Sequence, residues 1–174
     1  MIRLIKIINQ KIANKKIRDK QAYIERRVSA FMNAQLLNAQ KYGYTSLRYH
    51  QWLCVGLHMI GAMDCTAEDV GAVREEYAFS STKRLLIKIL NCDEETAENF
   101  ASRLLSMSTE GLPYTLTEHG KGSMREFLKA LQKLEDTRSK EAKLLINESN
   151  NLTEIIKMDI HPDLKTQLFD PESV

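Results

Sequence analysis

Between positions 79 and 91 the chain carries hydroxyls, cations and an amide at helical spacing. Turned at about 100° per residue, Phe79, Thr82, Leu86, Ile89 and Leu90 gather on one side of a helix. Ser81, Arg84, Lys88 and Asn91 gather on the other, with Lys83 at the flank. Small hydroxyls at the start of a helix, followed by Arg and Lys one turn apart, suit phosphates and base edges in the major groove of DNA. Any amphipathic surface helix also shows a polar face, so a plain solvated surface competes with this reading.

Other chemistry is sparse. The sequence has no Gly-rich phosphate loop, no Gly-x-Ser-x-Gly, no His-Glu-x-x-His and no paired-cysteine metal site. We expect no catalytic residues, no cofactor and no metal. The histidines, His50, His58, His119 and His161, are scattered, and His50, His58 and His119 read as structural. Three cysteines, Cys54, Cys65 and Cys92, lack a Cys-x-x-Cys pair. An odd, widely spaced set fits free thiols in a reducing compartment, hence a cytoplasmic protein. Cys92, near a helix end, is the one candidate reactive thiol.

Charge is uneven. Residues 1–27 hold nine cations (Arg3, Lys6, Lys11, Lys15, Lys16, Arg18, Lys20, Arg26 and Arg27) against Asp19 and Glu25, a local excess of seven. Since the whole chain is +2, the remainder carries five net negative charges. A basic arm of this kind meets a polyanion, either nucleic acid or a membrane surface, or is simply a solvated helix. Ile5, Ile8 and Ile12 form a stripe within it, which suits a membrane surface. No run of about 20 apolar residues exists, so no membrane span is expected.

These residues must be positioned by long elements, because 174 residues contain only 7 Gly and 3 Pro. A helical stripe runs through 2–18. Another follows with Ile24, Val28 and Phe31, stopping near Tyr42-Gly43. Residues 47–61 are apolar on most sides and predict a central buried helix. The segment TAED at 66–69 has the form of a capping box, predicting a helix from Thr66 to about Tyr77. A short connection at 78–81 leads to the helix that carries Arg84 and Lys88. After the acidic stretch 93–98, residues 103–107 and 112–116 read as two short strands around a turn at 108–111, with Pro113 restricting the second to an edge. Gly120 and Gly122 punctuate the chain before a long helix from Ser123. Residues past about 150 read as a weak helix and a loose tail.

Helix, turn, helix, hairpin, long helix is the order of a winged helix-turn-helix. Residues about 46–135 resemble the MarR family of winged-helix regulators. The parts that carry the resemblance are the helix at 47–61, the segment 66–77, FSSTKRLLIKIL at 79–90 in the recognition-helix place, and LTEHGK at 116–121, similar to the family's L-T-E-x-G run. The resemblance implies a homodimer in which residues 22–40 and 123–147 pack against their mates. It also implies a palindromic double-stranded operator, and a small-molecule effector pocket that no residue here identifies. The wing tip departs from the family: it is Ser-Thr-Glu-Gly at 108–111, with Glu110 repelling phosphate and Arg103 the only nearby base.

The expected fold is therefore mainly α, a winged helix-turn-helix with a small two-stranded β wing at about 102–117, flanked by N- and C-terminal dimerisation helices. Residues 1–21 form a basic arm, 22–147 the winged-helix domain and 148–174 a polar tail. The expected function is a sequence-specific DNA-binding transcriptional regulator. Its DNA contacts would be Ser81, Lys83, Arg84, Lys88, Asn91 and Arg103. The alternative is a winged-helix protein-interaction module, an antirepressor or adaptor that does not bind DNA.

Overall fold

A computed structural model describes residues 2–43, 46–137 and 152–157. It contains six described helices: α1 (Ile2–Lys41), α2 (Tyr49–Val70), α3 (Arg74–Leu90), α4 (Glu94–Met107), α5 (Gly111–Thr137) and α6 (Leu152–Lys157). Among the described residues there is no strand, so the expected β wing at 102–117 is corrected to helix on both sides of a tight turn.

Helix α1 is unbroken across 40 residues, joining the two helical stretches read separately from the sequence. No Gly or Pro interrupts it, and Gly43, with φ of +91°, stops it where a left-handed conformation is needed. Ile24, Val28 and Phe31 fall on one stripe and are fully buried. The next position on that stripe, Gln35, is buried too, and its Oε1 accepts the Leu152 N–H at 3.2 Å. This ties α6 to α1, with Leu152, Ile155 and Ile156 buried in the core.

Helix α2 is the central element, buried on most sides from His50 to Ala67. It does not end near Gly61. Met63, Cys65 and Ala67 continue the burial, and Gly71, with φ of +59°, closes the helix through its N–H to Ala67 and Glu68 carbonyls. Thr66 is therefore a mid-helix residue and not a cap. Its hydroxyl, fully buried, donates back to the Ala62 carbonyl at 2.8 Å, which removes it from the competition to start a helix. The chain break expected at 78–81 lies instead at 71–73, and α3 runs straight through 78–81 to stop at Asn91, left-handed with φ of +52°.

The acidic stretch at 93–98 begins α4. The Asp93 carboxylate accepts the Thr96 N–H at 2.8 Å and its hydroxyl at 2.9 Å. Glu94 and Glu95 lie in the first turn, where carboxylates face the positive end of the helix. Ala97, Phe100, Ala101 and Leu104 then bury at i, i+3, i+4 and i+7, so residues 103–107 complete a helical stripe. In α5, Pro113 sits in the first turn, where an N–H has no intrahelical partner to lose. Leu116, Thr117, Ser123, Met124 and Phe127 follow on one buried face. Gly120 lies within this helix and serves packing. A Cβ on Gly61 would overlap the Thr117 carbonyl oxygen, and one on Gly120 would overlap that of His58. The two glycines let α2 and α5 cross almost backbone to backbone.

Of the segments 22–40 and 123–147 that the resemblance assigns to a dimer mate, Ile24, Val28, Phe31, Met32, Met124 and Phe127 are buried within this chain's own core. Positions 138–147 lie outside the described residues.

Candidate nucleic-acid interface

Ser81, Lys83 and Arg84 on the polar side of α3 are turned toward acidic groups of the same chain. Ser81 is fully buried and donates to the Glu25 carboxylate of α1 at 2.8 Å. Arg84 donates to the same carboxylate from Nε at 2.9 Å and from Nη2 at 2.6 Å. Gln21, one turn earlier on α1, accepts from Arg84 at 3.4 Å. Lys83 lies between two carboxylates of α4, Glu94 at 2.9 Å and Glu98 at 2.8 Å. Hydrogen bonds to Glu98 and then Glu94 raise its pKa. Lys88 is exposed, and so is Asn91, whose backbone forms the left-handed stop. Arg103 lies apart on α4, its guanidinium 5.7 Å from the centre of the Tyr49 ring.

The structure thus brings Ser81 and Arg84 together on one carboxylate. It neutralises Lys83 separately, leaves Lys88 and Asn91 on the surface, and places Arg103 on another helix. The residue that sequence reading did not connect is Glu25. Its partners are 56 and 59 positions away, and no local pattern announces such a pairing.

The first half of α1 differs. From Gln10 to Lys16 every described side chain is exposed, whichever way it points around the helix. A helix exposed on all sides has left the body. The junction is marked by Lys20, whose Nζ donates to the Gly71 carbonyl at 2.6 Å and lies 3.9 Å from Glu76. Beyond it, Lys11, Lys15 and Arg18 follow at i, i+4 and i+7 on one stripe, with Lys16 to the side, all exposed. Asp19 is the one carboxylate in this stretch. The stripe was legible in the spacing; its freedom from the body was not.

The buried polar groups serve the core. His58 is stacked on Phe31 with ring centroids 5.6 Å apart, and neither ring nitrogen has a hydrogen-bond partner. Burial, with a smaller contribution from His119, pushes its pKa down to about 3, so the ring is neutral. Tyr77 donates to Asp64 at 2.6 Å, and burial raises the Asp64 pKa despite that bond and nearby Arg74. Burial also raises all three thiols, Cys54 to about 12. Cys92 is therefore held as thiol, without the electropositive setting that makes a cysteine reactive. Among the described residues no group of three His, Cys, Asp or Glu side chains could hold a metal ion, and no helix is long and apolar enough to cross a membrane.

Compared with protein-family models, curated proteins and solved structures, the chain matches none of them. The LTEHGK run on which the MarR resemblance leans most lies inside α5.

Proposed function

We propose that this protein acts by binding rather than catalysis, and that it docks on double-stranded DNA through the projecting half of α1. The observation that carries the proposal is the set of four exposed cations, Lys11, Lys15, Lys16 and Arg18, on a helix whose side chains from Gln10 to Lys16 are all exposed. A helix is the right width for the major groove, and cations spaced by one turn meet successive phosphates while releasing counterions. An isolated helical segment of this length is marginal in water, so a partner along it would also stabilise it. A role in transcription, action as a homodimer on a palindromic site, a small-molecule effector and a cytoplasmic location belong to the same proposal; the three free cysteines suit that compartment.

A second reading, a protein-interaction adaptor, draws on α3. Ser81, Lys83 and Arg84 are engaged within the chain, which leaves that helix little to read bases with.

The test is a gel-shift titration of full-length protein against duplex DNA, with wild type and a variant carrying Lys11, Lys15, Lys16 and Arg18 all changed to Ala. The proposal expects a shift for wild type that disappears in the variant while both melt at the same temperature. Equal shifts would overturn the arm as the interface. No shift for wild type at low salt would overturn DNA binding and favour the adaptor.

A further inference from the structure

An open groove of about 540 Å³ lies between the start of α2, the end of α3 and the outer side of α4. Tyr49, Trp52 and Phe100 supply three aromatic rings, and Leu90 adds an apolar wall. Tyr49 and Phe100 are tilted at 44° with centroids 5.9 Å apart. Thr96, Asn99 and Arg103 follow at successive turns of α4 and also line it. Tyr49 is 47% exposed.

The chemistry of this lining is specific. Aromatic faces accept a flat ring by stacking, whatever its substituents. An asparagine amide offers one acceptor and two donors, which suits the edge of a heterocycle and not a plain hydrocarbon ring. A guanidinium fork fits the oxygens of a phosphate. The volume falls within the range of small-molecule sites. We propose that this groove binds a nucleoside monophosphate. The base lies against Trp52 and Tyr49, with Phe100 packed behind Tyr49, its edge meets Asn99, and its phosphate meets Arg103.

This site is independent of the arm. The groove is at the N-terminal end of α2, whereas α1 leaves the body where Lys20 meets Gly71, just past the C-terminal end. A helix of 22 residues separates them by about 33 Å.

Trp52 is the only tryptophan, so its fluorescence reports on this groove alone. The full-length protein is titrated with AMP, GMP, CMP and UMP, exciting at the red edge of the tryptophan band, with calorimetry on the same samples. Adenosine tests the need for the phosphate, and benzoate the need for the heterocycle. The proposal expects saturable quenching by at least one nucleotide, unchanged in the arm variant. Arg103→Ala and Asn99→Ala should each weaken it about tenfold, with the wild-type melting temperature confirming that these partly exposed positions leave the fold intact. Adenosine binding as tightly as AMP would overturn the role of Arg103, and benzoate binding as tightly would overturn the heterocycle. Absence of saturable quenching and of heat by every nucleotide would overturn the site.

Discussion

The projecting half of α1 and the polar side of α3 are both basic helical surfaces, and on paper α3 is the better recognition helix, with hydroxyls ahead of its cations. Folding treats them oppositely. Arg84 and Ser81 are drawn onto Glu25, and Lys83 onto Glu94 and Glu98. Lys11, Lys15, Lys16 and Arg18 remain in solvent. A cation contributes to polyanion binding only insofar as it is not already compensated, because displacing an internal carboxylate costs what the new contact supplies. Charge in a sequence is therefore not yet charge at a surface.

With α1 exposed on every side from Gln10 to Lys16, the largest losses of stability belong to the packed body. Gly120→Val would force a branched side chain into the His58 carbonyl and should cost about 3 kcal/mol or more. Chemical denaturation reads this, and a cost below about 1 kcal/mol would show that α2 and α5 cross less tightly than backbone to backbone.

Acid should act on the same body. The unfolded chain protonates His58 near 6.5, whereas the folded core resists until about 3. Between those values the unfolded state binds more protons, so stability contributed by the neutral ring is complete above 6.5 and falls as pH falls. The slope is about 1.4 kcal/mol per pH unit for one group. Asp64, raised by burial, opposes this trend, while Asp93, lowered by its bonds to Thr96, adds to it. The difference between the wild-type and His58→Leu stability profiles isolates the histidine. Parallel profiles from pH 7 to 4 would contradict its buried neutral state.

On α3, Arg84→Ala should cost about 1 kcal/mol, since its pair with Glu25 is half exposed. It should leave affinity for DNA nearly unchanged. Lys88→Ala, at an exposed position, should change stability by less than about 0.5 kcal/mol. A large loss of DNA affinity with Lys88→Ala would restore α3 as a contact surface.

The helices were largely legible in the sequence, because burial at i, i+3, i+4 and i+7 is written locally. Ile24, Val28 and Phe31 mark α1, and the apolar run in α2 marks the centre. Errors arose where a local signal had two physical meanings. Thr66 followed by Asp69 is a cap only if the helix starts there, and Gly71 decides that it does not. Pro113 is as compatible with a first helical turn as with an edge strand. Gly120 reads as punctuation, but its lack of a side chain is used by α5's close approach to α2. The acidic run at 93–98 is a helix start whose carboxylates also capture Lys83. The site was less legible than the fold. Glu25 facing Arg84, and Tyr49 facing Phe100, are pairings between distant segments that no local spacing encodes.

The most direct measurement is the salt dependence of duplex DNA affinity for three full-length proteins: wild type, the four-alanine α1 variant, and Arg84→Ala/Lys88→Ala. Removing one cation that binds a phosphate lowers the slope of log affinity against log salt by about 0.9. The α1 variant should fall short of wild type by about 3.6 units of slope, while the α3 variant should keep the wild-type slope. The reverse pattern, a reduced slope in the α3 variant and a wild-type slope in the α1 variant, would contradict the assignment of DNA binding to α1.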